Sequence, residues 1–566
     1  MRDVLATIIT EVTNELGFSI DNMNVINSNR PDLCEYQCDD VFKLAKLYHK
    51  SPLEIGTSIV DKINNRPDFN DYFNKVSFIP PGFINISISD KFINNYLSLM
   101  NNQPKFNLKM PIKKETYFMD YGGPNVAKPL HVGHMRTAIV GEAIKRIIMY
   151  FGHTVISDVH LGDYGLQIGQ VIYGLKQENI DVSNITIADL DRIYPMMSAR
   201  CKENEEIKNM CAAITKDLQD GNQEYQAYFR KICEVSITDI KSIYNYLDVH
   251  FDLWLGESDA YPYIPKVEKL LQDKKLLEKS ENALVVYVAK NDDRVAIPPL
   301  LFKKANGAYM YPATDLGSIY QRIEDYNPDH ILYVVDNRQA LHFEQVFRTC
   351  ELSGLIDRSK LEHLGYGTVN GTDGKPYKTR SGDTPKLQHL FEQTKEIFVN
   401  QKDNNEKMDA ADIDKIVNSI LKFADLQNSR ERDYIFDINK FSEVVGKTGP
   451  YILYTYLRIN KIIENFDFRV NNLTDNIYNN YDRDLRIKLL DLEYFLNLSF
   501  KERKPNYLTD YLYELCVCTN AFYQNNHIMN LDDIGKRNDW LYVLNLTNRV
   551  IKEMLKLLAI DIPKEM

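Results

Sequence analysis

Hydrophobic and polar residues follow different periods in different parts of this chain. Within residues 1–110, helical periodicity in Val4–Leu16 is followed by strict alternation in Val76–Ile79 and Phe83–Ile88, which is typical of an amphipathic helix and a β-hairpin. From Thr116 onward, strand-like and helical segments alternate, and towards the C-terminus only the helical period remains. The pattern therefore predicts a small α+β domain, a central α/β domain and an all-helical domain, in that order.

In the N-terminal domain, residues that favour caps and turns mark where the elements end. Two further helices are predicted at Val41–Tyr48 and Leu53–Asn64, and Ser51-Pro52 supplies the cap and first turn of the second. Pro80-Pro81-Gly82 separates the two strands of the hairpin. Asn-rich, Pro-containing sequence at residues 101–111 predicts a linker to the next domain.

The central domain opens with a strand–helix–strand unit. Thr116–Tyr121 favours a strand, and Gly122-Gly123-Pro124-Asn125 ends it. A helix-forming run continues from Val132 until Gly152 stops it, and Thr154–Asp158 is predicted as the next strand. This order predicts a parallel sheet of the Rossmann type with a right-handed crossover.

Beyond this unit the predicted sheet is interrupted. Residues 175–280 are mostly helical and charged, with one short strand, Leu284–Ala289, beyond them, and we interpret them as a helical insertion between two halves of the sheet. The sheet is predicted to resume with the strands Ala308–Tyr311, Ile331–Val335 and Leu364–Val369.

No strand is predicted after Leu387. The predicted C-terminal helices are Ile413–Leu426, Pro450–Phe466, Asp484–Leu496, Tyr507–Phe522 and Trp540–Leu558. The predicted domain boundaries are 1–110 for the α+β domain, 111–440 for the α/β domain with its insertion, and 441–566 for the helical domain.

Composition indicates an ordinary globular protein. The chain has 566 residues, 44% of them hydrophobic and 26% charged, and no apolar run approaches the roughly 20 residues of a membrane span. Asp3 and Glu11 lie inside the amphipathic pattern of the first segment, which therefore predicts a helix and not a signal peptide. None of the eight cysteines forms a C-x-x-C pair, which argues against a zinc ribbon. We expect a cytoplasmic protein without a membrane association.

A net charge of −11 argues against a protein that coats nucleic acid indiscriminately. Local basic patches can still bind RNA. One candidate is the group Lys105, Lys109, Lys113 and Lys114, for which a solvated lysine-rich linker is the alternative interpretation.

The turn that follows the first central strand has the features of an anion site. A glycine-bearing loop that feeds a helix N-terminus presents free backbone N–H groups and the positive end of the helix dipole. Here the helix opens on His131-Val132-Gly133-His134, which we call the HVGH turn. Its two imidazoles lie three positions apart on one face and can donate to phosphate oxygens. Gly133 leaves room for a flat base against the helix end.

A second candidate is the segment Asn370–Pro385, NGTDGKPYKTRSGDTP, which we call the basic loop. Three glycines, two prolines, two lysines and one arginine make it suited to close over a phosphate chain. Each feature taken alone has a simpler interpretation, as two surface histidines at a helix start and as a solvent-exposed hairpin tip. The HVGH tetrapeptide resembles motifs of both class I aminoacyl-tRNA synthetases and small adenylyltransferases, and the helical C-terminal domain argues against the latter.

Several motifs together resemble the arginyl-tRNA synthetase family of class I. They are GPNVAKPLHVGHMRTA, HLGDYGLQIG, YMYPATD, DGKPYKTRSG, FADLQNSRERDYIFD and GPYILYTYLR. The resemblance covers essentially the whole chain. The sequence departs from the family pattern in four places: Lys378-Thr379-Arg380-Ser381 replaces KMSKS, Tyr164 stands where Trp is usual, Gly123 where Ser or Ala is frequent, and Leu453 where Gln is expected.

The resemblance implies a two-step ligation of arginine to tRNA(Arg). ATP and L-arginine would form arginyl-adenylate and pyrophosphate, and the arginyl group would then pass to the 3′-terminal ribose. In this scheme His131, Gly133 and His134 bind ATP, while Lys128, Lys378 and Arg380 neutralise the departing pyrophosphate together with Mg²⁺. No metal site built from protein side chains is implied. Residues 1–110 would contact the tRNA, residues 441–566 would bind its anticodon, and we expect a monomer.

The arginine pocket follows from the chemistry of the guanidinium, which is planar, permanently charged and has five donors. Such a group requires carboxylate acceptors. By motif, an acidic pair with a tyrosine beside it would hold the guanidinium, and three further residues would hold the α-amino and carboxylate groups. The acidic pair is Asp120 and Asp315, and the tyrosine is Tyr311. The residues for the α-amino and carboxylate groups are Asn125, His160 and Gln339.

Other interpretations stay open at this stage. Asp315 could instead be a helix N-cap, although the motif around it favours the pocket, and His160 with Asp163 could form a turn with a capping aspartate. A class I synthetase for another amino acid is a nearer rival, although neither zinc-type cysteine spacing nor a large editing insertion is visible. A tRNA-binding scaffold that has lost catalysis is the more distant rival.

Overall fold

The computed structural model of the protein describes residues 1–30, 32–377, 386–401, 408–467 and 472–566. The chain forms two compact units. One comprises Met1–Lys109, Thr455–Asn497 and Tyr511–Lys552, and the other Met110–Tyr454, Leu498–Asp510 and Glu553–Met566.

The N-terminal part of the first unit is an α+β fold. Its strands form a four-stranded antiparallel sheet in the order β1-β2-β4-β3, and β3 and β4 are the predicted hairpin. The Ser51 side chain accepts from the N–H of Leu53 at 3.2 Å, which confirms the predicted cap. The elements are α1 (Arg2–Glu15), β1 (Ile26–Asn27), β2 (Tyr36–Cys38), α2 (Val41–Tyr48), α3 (Pro52–Asn64), α4 (Phe69–Tyr72), β3 (Phe73–Ile79), β4 (Phe83–Ile88) and α5 (Asp90–Asn102).

Helix α5 was not predicted from the sequence. Ser89 caps it by accepting from the N–H of Phe92 at 3.1 Å. The helix reaches Asn102, so the predicted linker at residues 101–111 begins two residues later than expected.

The second unit is built on a parallel sheet, as predicted. Its order is β11-β10-β5-β6, and Asp120 of β5 lies opposite Asp158 of β6 and Tyr333 of β10. The first elements of this unit are β5 (Thr116–Tyr121), α6 (Val132–Tyr150) and β6 (Thr154–Asp158). From β5 the chain first adds β6 on one side and later adds β10 and β11 on the other side. The point where the order of addition reverses therefore lies between β5 and β10, and ligands of such sheets bind in the crevice at the carboxyl ends of these strands.

The region after β6 is helical, as expected, and then contains a small antiparallel sheet in the order β7-β8-β9. Between the helices the chain returns to the edge of the parallel sheet. There the backbone of Leu253 forms a β-bridge with Asp158, and the backbone of Gly256 forms one with Leu161. The elements are α7 (Leu166–Gln177), α8 (Ile187–Glu203), α9 (Glu205–Gln219), α10 (Gln223–Tyr246), α11 (Glu257–Ala260), α12 (Ile264–Asp273), β7 (Glu278–Ser280), β8 (Ala283–Val286) and β9 (Leu300–Lys303).

The rest of this unit completes the parallel sheet and covers it with helices. Phe118 and Tyr333 of the sheet pack with Leu316 and Phe347 in a continuous buried core. The elements are α13 (Tyr311–Tyr326), β10 (His330–Val334), α14 (Ala340–Ser353), β11 (Leu361–His363), β12 (Val369–Asn370), α15 (Leu387–Asn400), α16 (Ala410–Leu426), β13 (Tyr434–Ile435) and α17 (Ile438–Phe441).

Three strand predictions in this region were wrong. Ala308–Tyr311 is not a strand of the parallel sheet: Tyr309 makes one bridge to Lys303, and Pro312, which suits a first helical turn, starts α13 instead. The last strand of the four-stranded parallel sheet is Leu361–His363 and not Leu364–Val369. A strand does occur after Leu387, because β13 pairs in parallel with β12.

The C-terminal segment is helical, as predicted. The predicted helix Asp484–Leu496 is in fact two helices that break at Asp491. Within the described part of the chain, no helix has both the length and the apolar character that a bilayer crossing requires. The elements are α18 (Gly449–Glu464), α19 (Asn480–Leu490), α20 (Leu492–Glu502), α21 (Asn506–Asn525) and α22 (Ile534–Leu557).

Candidate active site

The HVGH turn forms a reciprocal cap at the N-terminus of α6. The Nδ1 atom of His131 accepts from the N–H of Gly133 at 3.1 Å. The backbone N–H of His131 donates to Nδ1 of His134 at 3.2 Å. The two rings stack with their centroids 3.9 Å apart. Because both Nδ1 atoms accept, each neutral ring carries its proton on Nε2, which leaves two N–H donors for a ligand.

Both imidazoles are uncharged at neutral pH. Burial lowers the pKa of His131, and burial together with His131 and Lys128 lowers the pKa of His134 to about 3. A positive charge that acts on both rings is Lys128, whose ammonium lies 5.0 Å from the centroid of the Tyr194 ring. The turn therefore offers neutral hydrogen-bond donors with one adjacent cation, an arrangement that suits a phosphate chain.

Gly133 lies directly against the His131 ring of the cap. A Cβ atom at this position would lie 3.0 Å from Cε1 and 3.1 Å from Nδ1 of His131. Such contacts are tighter than nine in ten real Cβ contacts, so with a side chain here the imidazole would have to shift by a few tenths of an ångström. The sequence analysis assigned this space to a ligand base, whereas one side of it is used by the His131 ring.

The residues that directly follow the basic loop contact the chain at this turn, and the start of the loop bonds to β12. At its start the N–H of Tyr377 donates to the carbonyl of Val369 at 3.0 Å. After its end the N–H of Leu387 donates to the carbonyl of Leu130 at 2.9 Å, and the backbones of Lys386 and His131 form an isolated antiparallel β-bridge. The predicted cations Lys378 and Arg380 lie outside the described residues.

Below the turn, four charged groups form a buried cluster at the ends of β5 and β6. Arg322 of α13 donates to Asp120 at 2.6 Å and to Asp158 at 3.3 Å. Nδ1 of His160 lies 3.6 Å from the Asp158 carboxylate. Although burial opposes the charge, Asp120 and the hydrogen bond to Asp158 raise the pKa of His160 to about 9. Two carboxylates and two cations thus neutralise each other.

This cluster changes the interpretation of Asp120. The sequence analysis placed its carboxylate against the guanidinium of a bound arginine. In the structure Asp120 is buried and already paired with the internal guanidinium of Arg322. His160 also differs from a simple turn residue, because it carries a positive charge next to that pair.

A cavity of about 280 Å³ adjoins the cluster, and Tyr311 and Glu257 line it together with Thr314. Asp315 follows one position later on α13, where its carboxylate lies 2.5 Å from Nε2 of His342. The N-cap of α13 is Met310 and Asp315 lies inside the helix. The alternative interpretation of Asp315 as an N-cap is therefore wrong.

Glu257 was missed by the sequence analysis. Its side chain forms a hydrogen bond with Tyr311. Burial, opposed by His160 and reinforced by Asp163 and Asp315, raises the pKa of Glu257 to about 7. Asp163 holds the adjacent Ser258 by accepting from its N–H at 2.9 Å and its hydroxyl at 2.6 Å. A carboxylate that is expensive to charge without a counter-ion is suited to receive a cation.

The remaining predicted residues lie at neighbouring strand ends. Asn125 is half-buried and forms a parallel β-bridge with Gly162. The side-chain amide oxygen of Asn125 lies 2.5 Å from the position that a Cβ atom on Gly162 would occupy. Gln339 is exposed in the 3₁₀ turn that leads into α14. The structure thus brings Lys128 and the histidines of the HVGH turn together, places Tyr311 beside the cavity, and leaves Gln339 accessible to solvent.

The charge of His160 predicts a pH dependence of stability. Its pKa in the folded protein, about 9, exceeds its ordinary value of 6.5. A raised pKa stabilises the folded state fully below pH 6.5, and this contribution is lost as the pH rises through 9. The difference in unfolding free energy between the wild type and His160→Gln should therefore shrink by about 3 kcal/mol between pH 6 and pH 10. Urea titrations at several pH values measure it, and a constant difference would contradict a protonated His160.

Comparisons with known proteins agree with this geometry. Residues 96–438 match the family model described as tRNA synthetases class I (R), catalytic domain. Residues 3–88 match the arginyl tRNA synthetase N terminal domain, and residues 452–566 match the DALR anticodon binding domain.

Similar proteins cover the whole chain. An arginine–tRNA ligase of Alkaliphilus oremlandii is 38% identical over 584 residues, which is 99% of each chain. One of Agathobacter rectalis is 36% identical over 601 residues and all of both chains. Among solved structures, arginyl-tRNA synthetase from Plasmodium falciparum has a TM-score of 0.82 at 25% identity and covers 100% of this chain and 99% of its own. The Thermus thermophilus enzyme, with a TM-score of 0.83 at 19% identity and full coverage of both chains, shares the fold. The chain therefore belongs to the arginyl-tRNA synthetase family of the class I aminoacyl-tRNA synthetases.

Proposed function

We propose that this protein is an arginine–tRNA ligase that uses the HVGH turn for ATP and the adjoining acidic cavity for L-arginine. The observation that carries the assignment is the juxtaposition of two chemistries at one sheet edge. One is a helix N-terminus with two neutral imidazole donors, and the other is a cavity lined by Glu257, whose pKa is raised by burial and further by the charge of the nearby Asp315. An anionic nucleotide and a cationic amino acid can thus meet at the carboxyl end of β5.

In the first step the carboxylate of arginine attacks the α-phosphorus of ATP, and pyrophosphate leaves. Charge grows on the phosphate oxygens during this step, so the protein acts mainly by stabilising charge. His131 and His134 donate from Nε2 to phosphate oxygens, and Lys128 supplies the adjacent cation. Lys378 and Arg380 of the basic loop neutralise the pyrophosphate. No protein side chain needs to act as a covalent nucleophile, because the substrate supplies one.

ATP enters as its magnesium complex. The part of the chain that the structure describes contains no group of three or more His, Cys, Asp or Glu side chains that could hold a metal ion. Mg²⁺ typically keeps several waters and binds phosphate oxygens at such sites. We therefore assign the ion to the nucleotide and not to a protein cage.

For arginine recognition we assign Glu257 and Asp315, with Tyr311 between them, to the guanidinium. Two carboxylates match its planar fork of donors and its charge. Asp120, the carboxylate first predicted for this role, instead holds Arg322 at 2.6 Å and helps to keep His160 protonated. Protonated His160, with Asn125 and Gln339, is assigned to the α-amino and carboxylate groups of the substrate.

In the second step the arginyl group passes to the 3′-terminal ribose of tRNA(Arg). We assign residues 1–110 to tRNA contact, residues 111–440 to catalysis and residues 441–566 to anticodon binding. The matches to an N-terminal synthetase domain and to an anticodon-binding domain support these roles. We further propose that the protein is a cytoplasmic monomer.

The activity is tested by amino-acid-dependent ATP–pyrophosphate exchange with a panel of amino acids, run with tRNA present. Exchange that depends on arginine alone is the expected result. Exchange with another amino acid would indicate a different class I specificity, which the arginine–tRNA ligase relatives do not favour. No exchange with any amino acid would indicate a scaffold without catalysis.

We also predict that this exchange requires tRNA. The basic loop lacks the full KMSKS pattern, so its closure over ATP needs help from another part of the protein. A packed route exists: Lys415 and Lys422 of α16 donate to the carbonyls of Ile562 and Ala559 at the C-terminus, and Asp425 of α16 lies beside α6. RNA bound by the C-terminal helices can bias the active site through such a packed element.

Exchange should be near background with arginine and ATP alone and should appear when cognate tRNA is added. A tRNA whose terminal ribose has been oxidised cannot accept arginine, so it separates a conformational effect from acceptor chemistry. It should still support exchange. Full exchange without any tRNA would contradict the coupling but leave the ligase assignment intact.

A further inference from the structure

We propose that Arg136 is a positioning residue that sets the distance between the HVGH turn and the start of the basic loop. The expected effect of Arg136 on the reaction rests on the proposed function, whereas its structural role does not. Arg136 lies two residues after His134 on α6 and is only 1% exposed, so it cannot touch a substrate directly.

The Arg136 guanidinium joins two separate segments through their backbone carbonyls. One terminal nitrogen donates to Gly367 at 2.5 Å and to Thr368 at 3.3 Å. The other donates to Arg432 at 3.0 Å and to Arg430 at 3.2 Å. These carbonyls lie immediately before β12 and β13. One planar side chain therefore bonds to four backbone carbonyls, through two buried and two part-buried hydrogen bonds, close to where both strands begin.

The side chain is itself held from two sides. Its Nε lies 3.5 Å from the Asp425 carboxylate of α16, and its guanidinium carbon lies 5.0 Å from the centroid of the Tyr434 ring. The Tyr434 hydroxyl donates to the same carboxylate at 3.0 Å. A buried guanidinium with a fixed counter-ion and an aromatic neighbour has little freedom to move.

The two segments that Arg136 joins pair with each other only over a short length. The β12–β13 sheet contains two residue pairs, Val369 with Tyr434 and Asn370 with Ile435, and the N–H of Gly367 also donates to the carbonyl of Arg430 at 2.9 Å. A two-stranded sheet of this length is not stable by itself, so contacts from outside the sheet, those of Arg136 among them, contribute to holding it in place.

From β12 the connection to the proposed catalytic lysine is short. Val369 accepts from the N–H of Tyr377 at 3.0 Å, and Tyr377 directly precedes Lys378 in the chain. The other end of the loop is tied to the HVGH turn through the bond from Leu387 to Leu130. Arg136 thus connects α6 to the segment from which the basic loop starts, while Leu387 connects the chain beyond the loop to the residue before the turn.

A buried arginine in an ordinary core would show a different response to mutation. Lysine in its place keeps the positive charge near Asp425, but its single ammonium cannot reach carbonyls of both segments. If Arg136 only stabilises the fold, Arg136→Lys lowers stability and spares the activity of the molecules that remain folded. If it positions the loop, turnover falls while arginine binding is kept.

Hydrogen exchange tests the structural part. In Arg136→Lys the amides of Tyr434 and Phe436, which bond to the β12 segment from the β13 segment, and of Tyr377, which bonds to β12 from the basic loop, should exchange about tenfold faster. Amides of β6 and β10 should be unchanged. The matched control is Arg146→Lys on the same helix, where the arginine contacts Glu142 and Asp248 and which should leave the β12–β13 amides as they are. Unchanged exchange in Arg136→Lys would overturn the proposal.

A double-mutant cycle with Lys378→Ala tests the kinetic part. In the wild-type background Arg136→Lys should lower single-turnover adenylate formation about 10- to 100-fold, with the arginine Kd within about twofold. In the Lys378→Ala background the same change should cost less than about threefold, because the cation that Arg136 positions is gone. Equal losses in both backgrounds would overturn the proposal.

Two further outcomes remain interpretable. If Arg136→Lys does not fold, by circular dichroism, Asp425→Asn replaces it, since it removes the counter-ion of Arg136 and keeps the size of the side chain. The same exchange and kinetic results are then expected. If the wild type shows no arginine-dependent adenylate formation, the proposed function fails, and the hydrogen-exchange result still decides whether Arg136 holds β12 and β13.

Discussion

Asp315→Asn is expected to raise the KM for arginine by well over tenfold and to leave the KM for ATP nearly unchanged. The substitution keeps the shape of the side chain and its ability to bond to His342, which lies 2.5 Å away. It removes one of the two negative charges that we assign to the guanidinium. Removing one partner of a buried, hydrogen-bonded charge pair costs about 2–5 kcal/mol.

The measurement is tRNA-supported ATP–pyrophosphate exchange at varied arginine concentration. Asp325→Asn is a matched control, because Asp325 is exposed on the same helix, and it should leave the arginine KM within about twofold of wild type. Glu257→Gln should resemble Asp315→Asn if these two carboxylates share the guanidinium. A wild-type arginine KM in Asp315→Asn would place this residue outside the pocket.

The part of the fold around the HVGH turn was predictable from the sequence because its signals are local. β5 ends at Tyr121 as expected, and the glycine and proline that follow end it. The helix from Val132 was predicted from a long helix-forming run that Gly152 stops, and α6 ends at Tyr150. Capping and turn chemistry operate over a few residues, so one sequence is enough to show them.

Elements of two or three residues were not predictable in the same way. β12 and β13 are two residues each, too short to show a period, and their existence depends on pairing between positions about 65 residues apart. The predicted helix Asp484–Leu496 contains no proline or glycine, so nothing in its sequence indicates the break at Asp491. Tertiary packing decides such cases.

The acidic residues of the candidate site depend on contacts between distant parts of the chain. Asp315 was assigned from its motif and stays a prediction, whereas the pairing of Asp120 with Arg322 joins positions 202 apart in the chain. No local pattern indicates which carboxylate already has an internal partner. Glu257 lies in a segment interpreted as part of the insertion, and only the return of Leu253 and Gly256 to the sheet brings it to the cavity.

Lys378→Ala is expected to lower the turnover number of arginylation by roughly 100- to 1,000-fold while arginine binding stays nearly intact. The lysine is assigned to pyrophosphate, whose negative charge develops as the bond to the α-phosphorus breaks. An interaction of this kind is stronger in the transition state than in the ground state, so its loss appears in kcat. Loss of one such donor typically costs about 2.7–4 kcal/mol of activation free energy.

Lys375 provides the matched comparison, since it is an exposed lysine of the same basic loop three positions earlier. The proposed mechanism assigns no phosphate contact to the Lys375 ammonium. The turnover number of Lys375→Ala should therefore stay within about twofold of the wild-type value. The contrast separates a specific contact from the general positive charge of the loop, because both variants lower that charge by one. Steady-state kinetics in which Lys378→Ala raised only the KM for arginine would show that the lysine binds substrate and does not stabilise the leaving group. Equal losses in the two variants would mean that the loop acts through its summed charge, and the position of Lys378 next to Tyr377 would then have no special significance.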